Sequence, residues 1–204
     1  MSNILSSEHT ALPTLRAGQK PRKIVGWKVY GDIGPDPAVV VVEHHTSNYD
    51  LPFLFLVKTF MGYGRIHFLM KSEWFRYGLG WFFKWIGGVP VIRDGSERRD
   101  TLGYAINGFI NGHIKWLAIT PSGTRARKRP SQKRACWKRG FLHIARGAKV
   151  PLVLAAIDYS RHEITLLRHD ITSKPDDEVM AFCAAFFGEF AAGKHPTGET
   201  PVRL

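Results

Sequence analysis

Four consecutive valines at positions 39–42 lead directly into a polar segment, residues 43–52, and this junction restricts the possible folds more than any other feature of the sequence. A run of β-branched residues is typical of a buried strand. The polar segment offers Thr, Ser, Asn and Asp, which are good helix N-caps, and Pro52 suits the first turn of a helix. The junction therefore predicts a buried strand, a turn and a helix, with His45 and Asp50 close together across the turn.

His45 and Asp50 have the chemistry of a general base and its partner. The carboxylate fixes the imidazole tautomer and stabilises the imidazolium, while the other ring nitrogen takes a proton from a hydroxyl group. The alternative is a turn with a capping Asp and an incidental His, and a stretch this short favours neither interpretation. Side chains of neighbouring strand residues point to opposite faces, so only one of His44 and His45 is expected to reach such a site.

The length and composition fit a single globular domain. A chain of 204 residues can bury a substantial core, and its hydrophobic fraction of 44% is ordinary. The two cysteines, Cys136 and Cys183, are far apart and lack metal-ligand spacing, which favours a reduced, cytoplasmic compartment. The first 23 residues contain no signal-peptide core, and no run of about 18 apolar residues occurs, so we expect neither secretion nor a membrane-spanning helix.

The formal net charge of +12 indicates an anionic partner, which is a nucleic acid, a lipid headgroup or a phosphorylated substrate. Residues 125–139 alone hold eight Lys or Arg and no acidic residue. A nucleic-acid-binding module would need a groove-reading helix or a stacking sheet motif, and the sequence contains neither. We therefore expect a lipid or phosphorylated partner and no nucleic acid, since charge alone supports only non-specific binding.

Apolar periodicity predicts strands that alternate with helices along the chain. Strands are predicted at residues 39–42, 67–70, 116–119, 151–157 and 163–167. Residues 24–30 are a short alternating segment, and residues 87–93 are expected to form a turn, a short strand and an arginine at the strand end. Helices are predicted at residues 51–61, 96–110, 141–147 with Gly147 as the end, and 173–190. We expect an α/β fold, with a single domain over residues 24–204 in which helices flank a central mixed β-sheet. A flexible basic segment, residues 1–23, is expected to precede it.

Residues 73–86 are unusually aromatic, and Arg76 and Lys84 are the only cations among them. The aromatic side chains occupy more than one face, which exceeds what a single core contact requires. Trp and Tyr favour the bilayer interface, and large exposed apolar patches mark binding surfaces. This segment is predicted to meet a membrane surface or an acyl chain, and plain core packing is the alternative.

Four motifs occur in order between residues 39 and 157. They are H-x-x-x-x-D from His45 to Asp50, a strand ending in an arginine from Gly88 to Arg93, the turn Pro121-Ser122-Gly123-Thr124-Arg125, and Val150-Pro151 before an apolar strand. In this order and spacing they resemble the 1-acyl-glycerol-3-phosphate acyltransferase family, the lysophospholipid acyltransferases. Lys71-Ser72-Glu73 also resembles a Lys-x-Glu motif of that family. The one departure is Ser122, where the family usually has Glu.

The resemblance implies a glycerolipid acyltransferase-like fold and acyl transfer from acyl-CoA or acyl-carrier protein to a lysophospholipid hydroxyl. The foremost acceptor is 1-acyl-glycerol-3-phosphate, giving phosphatidate, and the family needs no metal or other cofactor. In the family's H-x-x-x-x-D motif the His corresponds to His45 and the Asp to Asp50, so the resemblance implies that His45 is the base and Asp50 its orienting partner. The expected substrate-binding residues are Lys71, Arg93, Ser122, Gly123, Thr124 and Arg125. We expect peripheral action on an anionic membrane surface, at the cytoplasmic face of the inner or plasma membrane.

Ser122 leaves the acceptor open, because the Glu of the family at this position is associated with the acceptor site. Serine is shorter and uncharged, so the pocket is expected to lose a negative charge and gain room, and a lyso-aminolipid is an alternative acceptor. A non-catalytic lipid- or nucleic-acid-binding protein is an alternative of a different class. A serine hydrolase using Ser122 is excluded, since Thr120 stands where a nucleophile elbow needs glycine.

Overall fold

An eight-stranded mixed β-sheet forms the centre of the computed structural model, which describes residues 16, 18–24, 26–43, 62, 66–75, 78, 80–91, 97–122 and 137–191. The strands are β1 (Arg22–Ile24), β2 (Trp27–Tyr30), β3 (Ala38–Glu43), β4 (Ile66–Lys71), β5 (Gly88–Val91), β6 (Trp116–Ile119), β7 (Leu152–Asp158) and β8 (Glu163–His169). The described helices are α1 (Gly80–Trp85), α2 (Glu97–Ile110), α3 (Gly140–Ala148), α4 (Asp176–Phe190) and a short 3-10 helix (Ser72–Phe75). The predicted single α/β domain with a mixed central sheet is confirmed.

The strand order across the sheet is β1-β2-β8-β7-β3-β6-β4-β5. The five strands from β7 to β5 in this order run parallel to one another, and β7 and β8 form the predicted antiparallel hairpin. Parallel strands end at the same edge, so their five carboxyl ends lie together on one side of the sheet. The predicted strands at residues 67–70 and 116–119 are confirmed as β4 and β6. The predicted helix at residues 51–61 lies outside the described residues.

Strand β3 is central: β6 and β7 pair with it on either side, and all six of its residues are buried. Val39 and Val41 pack into a core on one face of the sheet, while Val40 and Val42 pack into a second core on the opposite face. A strand that is covered on both faces is apolar throughout. Burial on both faces explains why the valine run shows no polar alternation.

Helices α2, α3 and α4 cover the sheet face of Val39, where they contribute Phe109, Phe141 and Phe186 to the core. The predicted apolar side of α4 is confirmed, because all of its predicted members are buried: Val179, Met180, Cys183, Phe186, Phe187 and Phe190. Ser173, Asp176 and Asp177 were predicted to start this helix, and α4 begins at Asp176, directly after Pro175. Proline before the first helical residue fixes this start more firmly than the upstream serine does.

The prediction that Gly147 closes the helix was wrong. Helix α3 continues through Gly147 to Ala148 and is closed by Lys149, which has a φ of 54°. A Cβ at Gly147 would lie 2.6 Å from the Ile106 side chain, so this glycine permits close packing of α2 on α3. The short alternating segment at residues 24–30 contains the end of β1 and all of β2, which are antiparallel and joined by a turn in which Gly26 has a φ of 80°.

Arg16 anchors part of the N-terminal segment to the sheet. Its guanidinium donates to Glu163 Oε2 at 2.6 Å and to Thr165 Oγ1 at 2.7 and 2.9 Å. It also lies over two aromatic rings. The domain boundary at residue 23 stays a prediction, because residues 1–15 lie outside the described residues. Arg16 itself belongs to the folded structure.

Candidate functional site

The carboxyl edge of the sheet gathers the strand ends that precede the predicted site residues. Strand β3 ends at Glu43, directly before the two adjacent histidines, and β4 ends at Lys71, itself a predicted binding residue. Strand β5 ends at Val91, two residues before Arg93, and β6 ends at Ile119, just before the Pro-Ser-Gly-Thr-Arg turn. In open α/β sheets, ligands bind in the crevice beyond the carboxyl ends of the strands.

The strand register shows that these four ends are close together. Val41 of β3 pairs with Ile119 of β6, and Lys71 of β4 pairs with Val91 of β5. Neighbouring strands lie about 4.8 Å apart, so the ends of β3, β6, β4 and β5 span about 15 Å across the sheet. That width suits a single substrate-binding crevice.

Most predicted site residues lie outside the described residues. They are His45, Asp50, Arg93, Gly123, Thr124 and Arg125. The backbone of Lys71 is described but its side chain is not, whereas Ser122 is described in full. The general-base pair and the two arginines therefore stay predictions. The structure defines the strand ends from which their segments leave.

Glu43 and Ser122 form a buried contact at this edge. Glu43 Oε1 accepts a hydrogen bond from the backbone N–H of Ser122 at 3.3 Å. The two residues are 5% and 7% exposed, respectively. The contact joins the end of β3, which leads to the predicted base, to the turn after β6, which leads to the predicted acceptor site.

Sequence reasoning missed Glu43. Its signal is weak but physical: an ionisable residue closes a run of buried apolar residues, and burying a carboxylate is costly unless hydrogen bonds compensate. Strand alternation places its side chain on the same face as Val41, under the helix-covered side of the sheet. A charged residue at the end of a buried strand thus marks the site edge, although the sequence does not name its partner.

The start of α3 is also joined to the turn after β6. The backbone N–H of Lys138 donates to the carbonyl oxygen of Pro121 at 3.0 Å, and Pro121 is buried. The preceding Trp137 is buried, and its ring meets Phe187 of α4 edge to face, with centroids 5.5 Å apart. Ser122 and Trp137 are the described residues on either side of residues 123–136, and both therefore lie beside the carboxyl edge.

The Val-Pro motif lies at the opposite edge of the sheet. Val150 and Pro151 precede β7, whose amino end is far from the crevice. The carbonyl oxygen of Pro151 accepts a hydrogen bond from Val39 N–H at 3.1 Å. This motif therefore sets the start of the β3–β7 pairing and does not line the candidate site.

The remaining polar groups of the described residues have structural or surface positions. No cluster of three or more His, Cys, Asp and Glu among these residues is placed to hold a metal ion. Cys183 lies in the core, where burial raises the pKa of its thiol to about 12, so it is a poor nucleophile near neutral pH. His169 stacks on Phe182 with ring centroids 4.1 Å apart, and His113 and His143 are exposed.

The aromatic segment divides between core and surface. Phe75 and Phe83 are partly buried and meet edge to face, with centroids 6.0 Å apart. Trp81 and Trp85 of α1 are 70% and 63% exposed, and the exposed ring of Phe82 contacts both. Core packing accounts for one side of the segment and leaves these three rings at the surface. No helix in the described part of the chain is long and apolar enough to cross a membrane.

Helix α1 lies on the sheet face opposite α2, α3 and α4. A Cβ at Gly88 of β5 would lie 3.2 Å from both the Phe75 ring and Met70 Sδ. It would also lie 2.7 Å from the carbonyl oxygen of Phe83. Met70 shares a face of β4 with Phe68, which packs against the second core. The exposed aromatic rings of α1 are therefore carried by the β4–β5 end of that face.

The family model described as Acyltransferase matches residues 26–158 of the chain. The matched part spans β2 to β7 and contains every predicted site residue. Neither a curated protein nor a solved structure matches the chain. The reaction class therefore follows from the family model, which covers more than half of the sequence.

Proposed function

We propose a lysophospholipid acceptor for this chain, which belongs to the Acyltransferase family. The proposed reaction moves a fatty acyl group from acyl-CoA or acyl-carrier protein to the acceptor hydroxyl. Among acceptors we place 1-acyl-glycerol-3-phosphate first, with phosphatidate as the product. The family match over residues 26–158 carries the proposal, and the gathering of the motif-bearing strand ends at one edge supports it.

His45 acts as the general base in the proposed reaction, and Asp50 orients it. The imidazole takes the proton of the acceptor hydroxyl while the oxygen attacks the thioester carbonyl carbon. The C–S bond then breaks, and the thiolate leaves with the proton returned by the imidazolium, so an ester and a free thiol are formed without an acyl-enzyme. A general base of this kind contributes about 100- to 10,000-fold to the rate.

Arg93 and Arg125 bind the phosphate groups of the acceptor or the donor. Guanidinium suits this role because it offers forked hydrogen-bond donors and a permanent charge. Support comes from the fold: Arg93 follows the end of β5, and Arg125 follows the turn after β6, at the edge where β3 leads to His45. Lys71 adds a third cation, and the small residues of the turn leave room for a headgroup.

The enzyme works at an anionic membrane surface, peripherally and at the cytoplasmic face. Two observations support this part of the proposal: the exposed aromatic rings of α1 and the net charge of +12. Trp favours the bilayer interface, and each Lys or Arg near an anionic surface contributes about 1 kcal/mol. Lys84 is exposed within the same helix, so a cation accompanies the aromatic rings.

The test is an acyl-transfer assay with purified protein. Acyl-CoA and acyl-carrier protein are each supplied with a panel that contains lysophosphatidate, other lysophospholipids and a lyso-aminolipid, and products are identified by mass spectrometry. We expect phosphatidate from lysophosphatidate, and no product from a folded His45→Ala variant. Folded wild-type protein that acylates no lysolipid would overturn the proposal, and product from the lyso-aminolipid alone would reassign the acceptor.

A further inference from the structure

A buried carboxylate lies at the turn that follows β6, where Glu43 accepts a hydrogen bond from the Ser122 N–H. We infer that Glu43 is a positioning residue for the proposed reaction. Its carboxylate holds the acceptor turn against the end of β3 and places negative charge where Ser122 has none. The inference rests on the proposed function and adds a residue that sets the geometry and the charge of the acceptor site.

The burial of Glu43 is difficult to explain by packing alone. The four preceding strand positions are valines, and another apolar residue would fill the same place without a desolvation cost. A buried carboxyl group needs hydrogen-bond partners, and the backbone N–H of Ser122 supplies one. The bond to the turn is therefore one contact that favours an acid at this position.

The contact lies at the starts of two segments, one leading to His45 and the other to Arg125. Strands β3 and β6 are hydrogen-bonded neighbours. Glu43 is the last residue of β3, and Ser122 lies three residues after the end of β6. His45 follows Glu43 by two residues, and Arg125 follows Ser122 by three. The bond therefore fixes the starts of both segments, and a displacement of reacting groups by about 1 Å costs about 100-fold in rate.

Glu43 already places one acid at this buried contact. Ser122→Glu would bring a second acid beside Glu43, and two carboxylates in one buried site are not both ionised without a large cost. When position 43 is glutamate, the uncharged serine is therefore the more compatible residue at position 122. In the inferred site, Glu43 supplies the acid that position 122 lacks.

A double-mutant cycle between residues 43 and 122 tests the contact. Glu43→Ala and Ser122→Glu are made singly and together, and the unfolding equilibrium constant is measured near neutral pH. We expect both single variants to be less stable than the wild type, and the combined variant to be more stable than Ser122→Glu by about tenfold or more in that constant. Additive effects, or a Ser122→Glu variant as stable as the wild type, would overturn the inference.

Glu163 offers a matched control. It is a second buried glutamate at the same edge, but it lies on β8 and pairs with Arg16. Strands β7 and β3 separate β8 from β6, so Glu163→Ala should lower stability without coupling to Ser122→Glu. Coupling at Glu163 as strong as that at Glu43 would mean that Ser122→Glu reports general loss of stability, and the inference would fail.

Kinetics separate positioning from a purely structural role. At a temperature where Glu43→Ala is folded, we expect a lower kcat and a higher acceptor KM, each by about tenfold, with the donor KM unchanged. Glu43→Gln retains an oxygen that accepts the Ser122 N–H bond, so it should keep more kcat than Glu43→Ala. Its acceptor KM should still change, because the charge is lost. A Glu43→Gln variant no better than Glu43→Ala, or kinetics unchanged in both, would exclude the positioning role.

The inference and the proposed function fail in different ways. Folded wild-type protein that acylates no lysolipid removes the proposed function, while the unfolding cycle still tests the contact because it needs no substrate. An active enzyme with additive unfolding energies leaves the function standing and removes the inference. If Ser122→Glu does not fold in either background, the kinetic comparison of Glu43→Gln with Glu43→Ala decides.

Discussion

Two buried glutamates lie at the same edge of the sheet, and each contacts a different part of the described chain. Glu163, at the start of β8, pairs with Arg16 at 2.6 Å and with Lys28 at 3.3 Å. Glu43, at the end of β3, accepts a hydrogen bond from the Ser122 backbone at 3.3 Å. The Glu163 contacts join β8 to two cations, whereas the Glu43 contact joins β3 to the backbone of the turn after β6.

The position of each glutamate in the sheet explains this difference. Glu163 belongs to the β7–β8 hairpin, where the strands run antiparallel and the chain turns straight back. Glu43 lies where parallel strands end and open a crevice for a ligand. The same residue type therefore stabilises the fold on the antiparallel side of the sheet and serves the candidate site on the parallel side.

Removing the proposed base has the largest expected effect and changes only the parallel side. His45→Ala or Asp50→Asn should lower kcat by about 100- to 10,000-fold, because the base is lost or misoriented. The unfolding midpoint should not change. A steady-state acyl-transfer assay and a thermal unfolding curve on the same preparations check both expectations. His44→Ala is the control and should keep most of the activity. An inactive His44→Ala variant beside an active His45→Ala variant would show that the assignment of His45 as the base is wrong.

Breaking the Arg16 contact tests the antiparallel side. Arg16→Ala should lower the free energy of unfolding by about 2–3 kcal/mol, because Glu163 stays buried with Lys28 as its remaining cation. Denaturant unfolding measures this loss, and kcat per folded molecule should be unchanged. Arg139→Ala is the matched control: its pair with Asp177 is exposed, so we expect a loss below about 1 kcal/mol. A large fall in kcat for Arg16→Ala would mean that the antiparallel side also affects catalysis.

Replacing Arg125 tests whether this residue of the parallel side binds the acceptor or the donor. Arg125→Ala should raise the acceptor KM by about 10- to 100-fold and the donor KM less, because a charge-assisted hydrogen bond to the headgroup is lost. Initial rates with each substrate varied in turn give both constants. Arg129→Ala lies in the same basic segment outside the motif and should have little effect. If only the donor KM rose in Arg125→Ala, Arg125 would bind the thioester carrier.

Strong local patterns made much of the fold predictable. The valine run, the strand at residues 116–119 and the apolar side of α4 all agree with the structure, because burial on one or both faces imposes a regular pattern. Gly147 failed as a helix end because its contact with Ile106 is tertiary. A Cβ there would crowd the end of the Ile106 side chain on the neighbouring helix, and a single sequence does not distinguish a glycine in a helix contact from a glycine in a turn.

The candidate site was predictable in its motifs and not in its contacts. Glu43 and Ser122 are 79 residues apart in the chain, and nothing in either local sequence indicates the other. The fold also separates motifs that follow one another in sequence: Pro151 lies at the amino edge, while the segments that lead to His45 and Arg125 leave from the carboxyl edge. Sequence order alone does not show which ends of the strands meet.

The smallest expected effect concerns the outer end of the parallel side, where α1 carries its exposed rings. Trp81→Ala and Trp85→Ala together should weaken binding to anionic vesicles by about tenfold, equivalent to about 1.4 kcal/mol, because Trp favours the bilayer interface. Stability should change by less than about 0.5 kcal/mol, since both side chains are largely exposed. Vesicle sedimentation over a range of salt concentrations measures the binding.

Tyr104 is the control for this prediction because it is 62% exposed and lies on α2, which covers the opposite face of the sheet. If the α1 face is the membrane contact, Tyr104→Ala should bind vesicles as the wild type does. High salt should weaken wild-type binding to anionic vesicles, because screening removes the attraction of the basic residues. Equal binding to neutral vesicles at every salt concentration would leave the aromatic contribution and exclude the electrostatic one. An equal loss in Tyr104→Ala and in the Trp variants would mean that exposed aromatic rings bind vesicles from either face of the sheet, and that the α1 face is not a specific membrane contact.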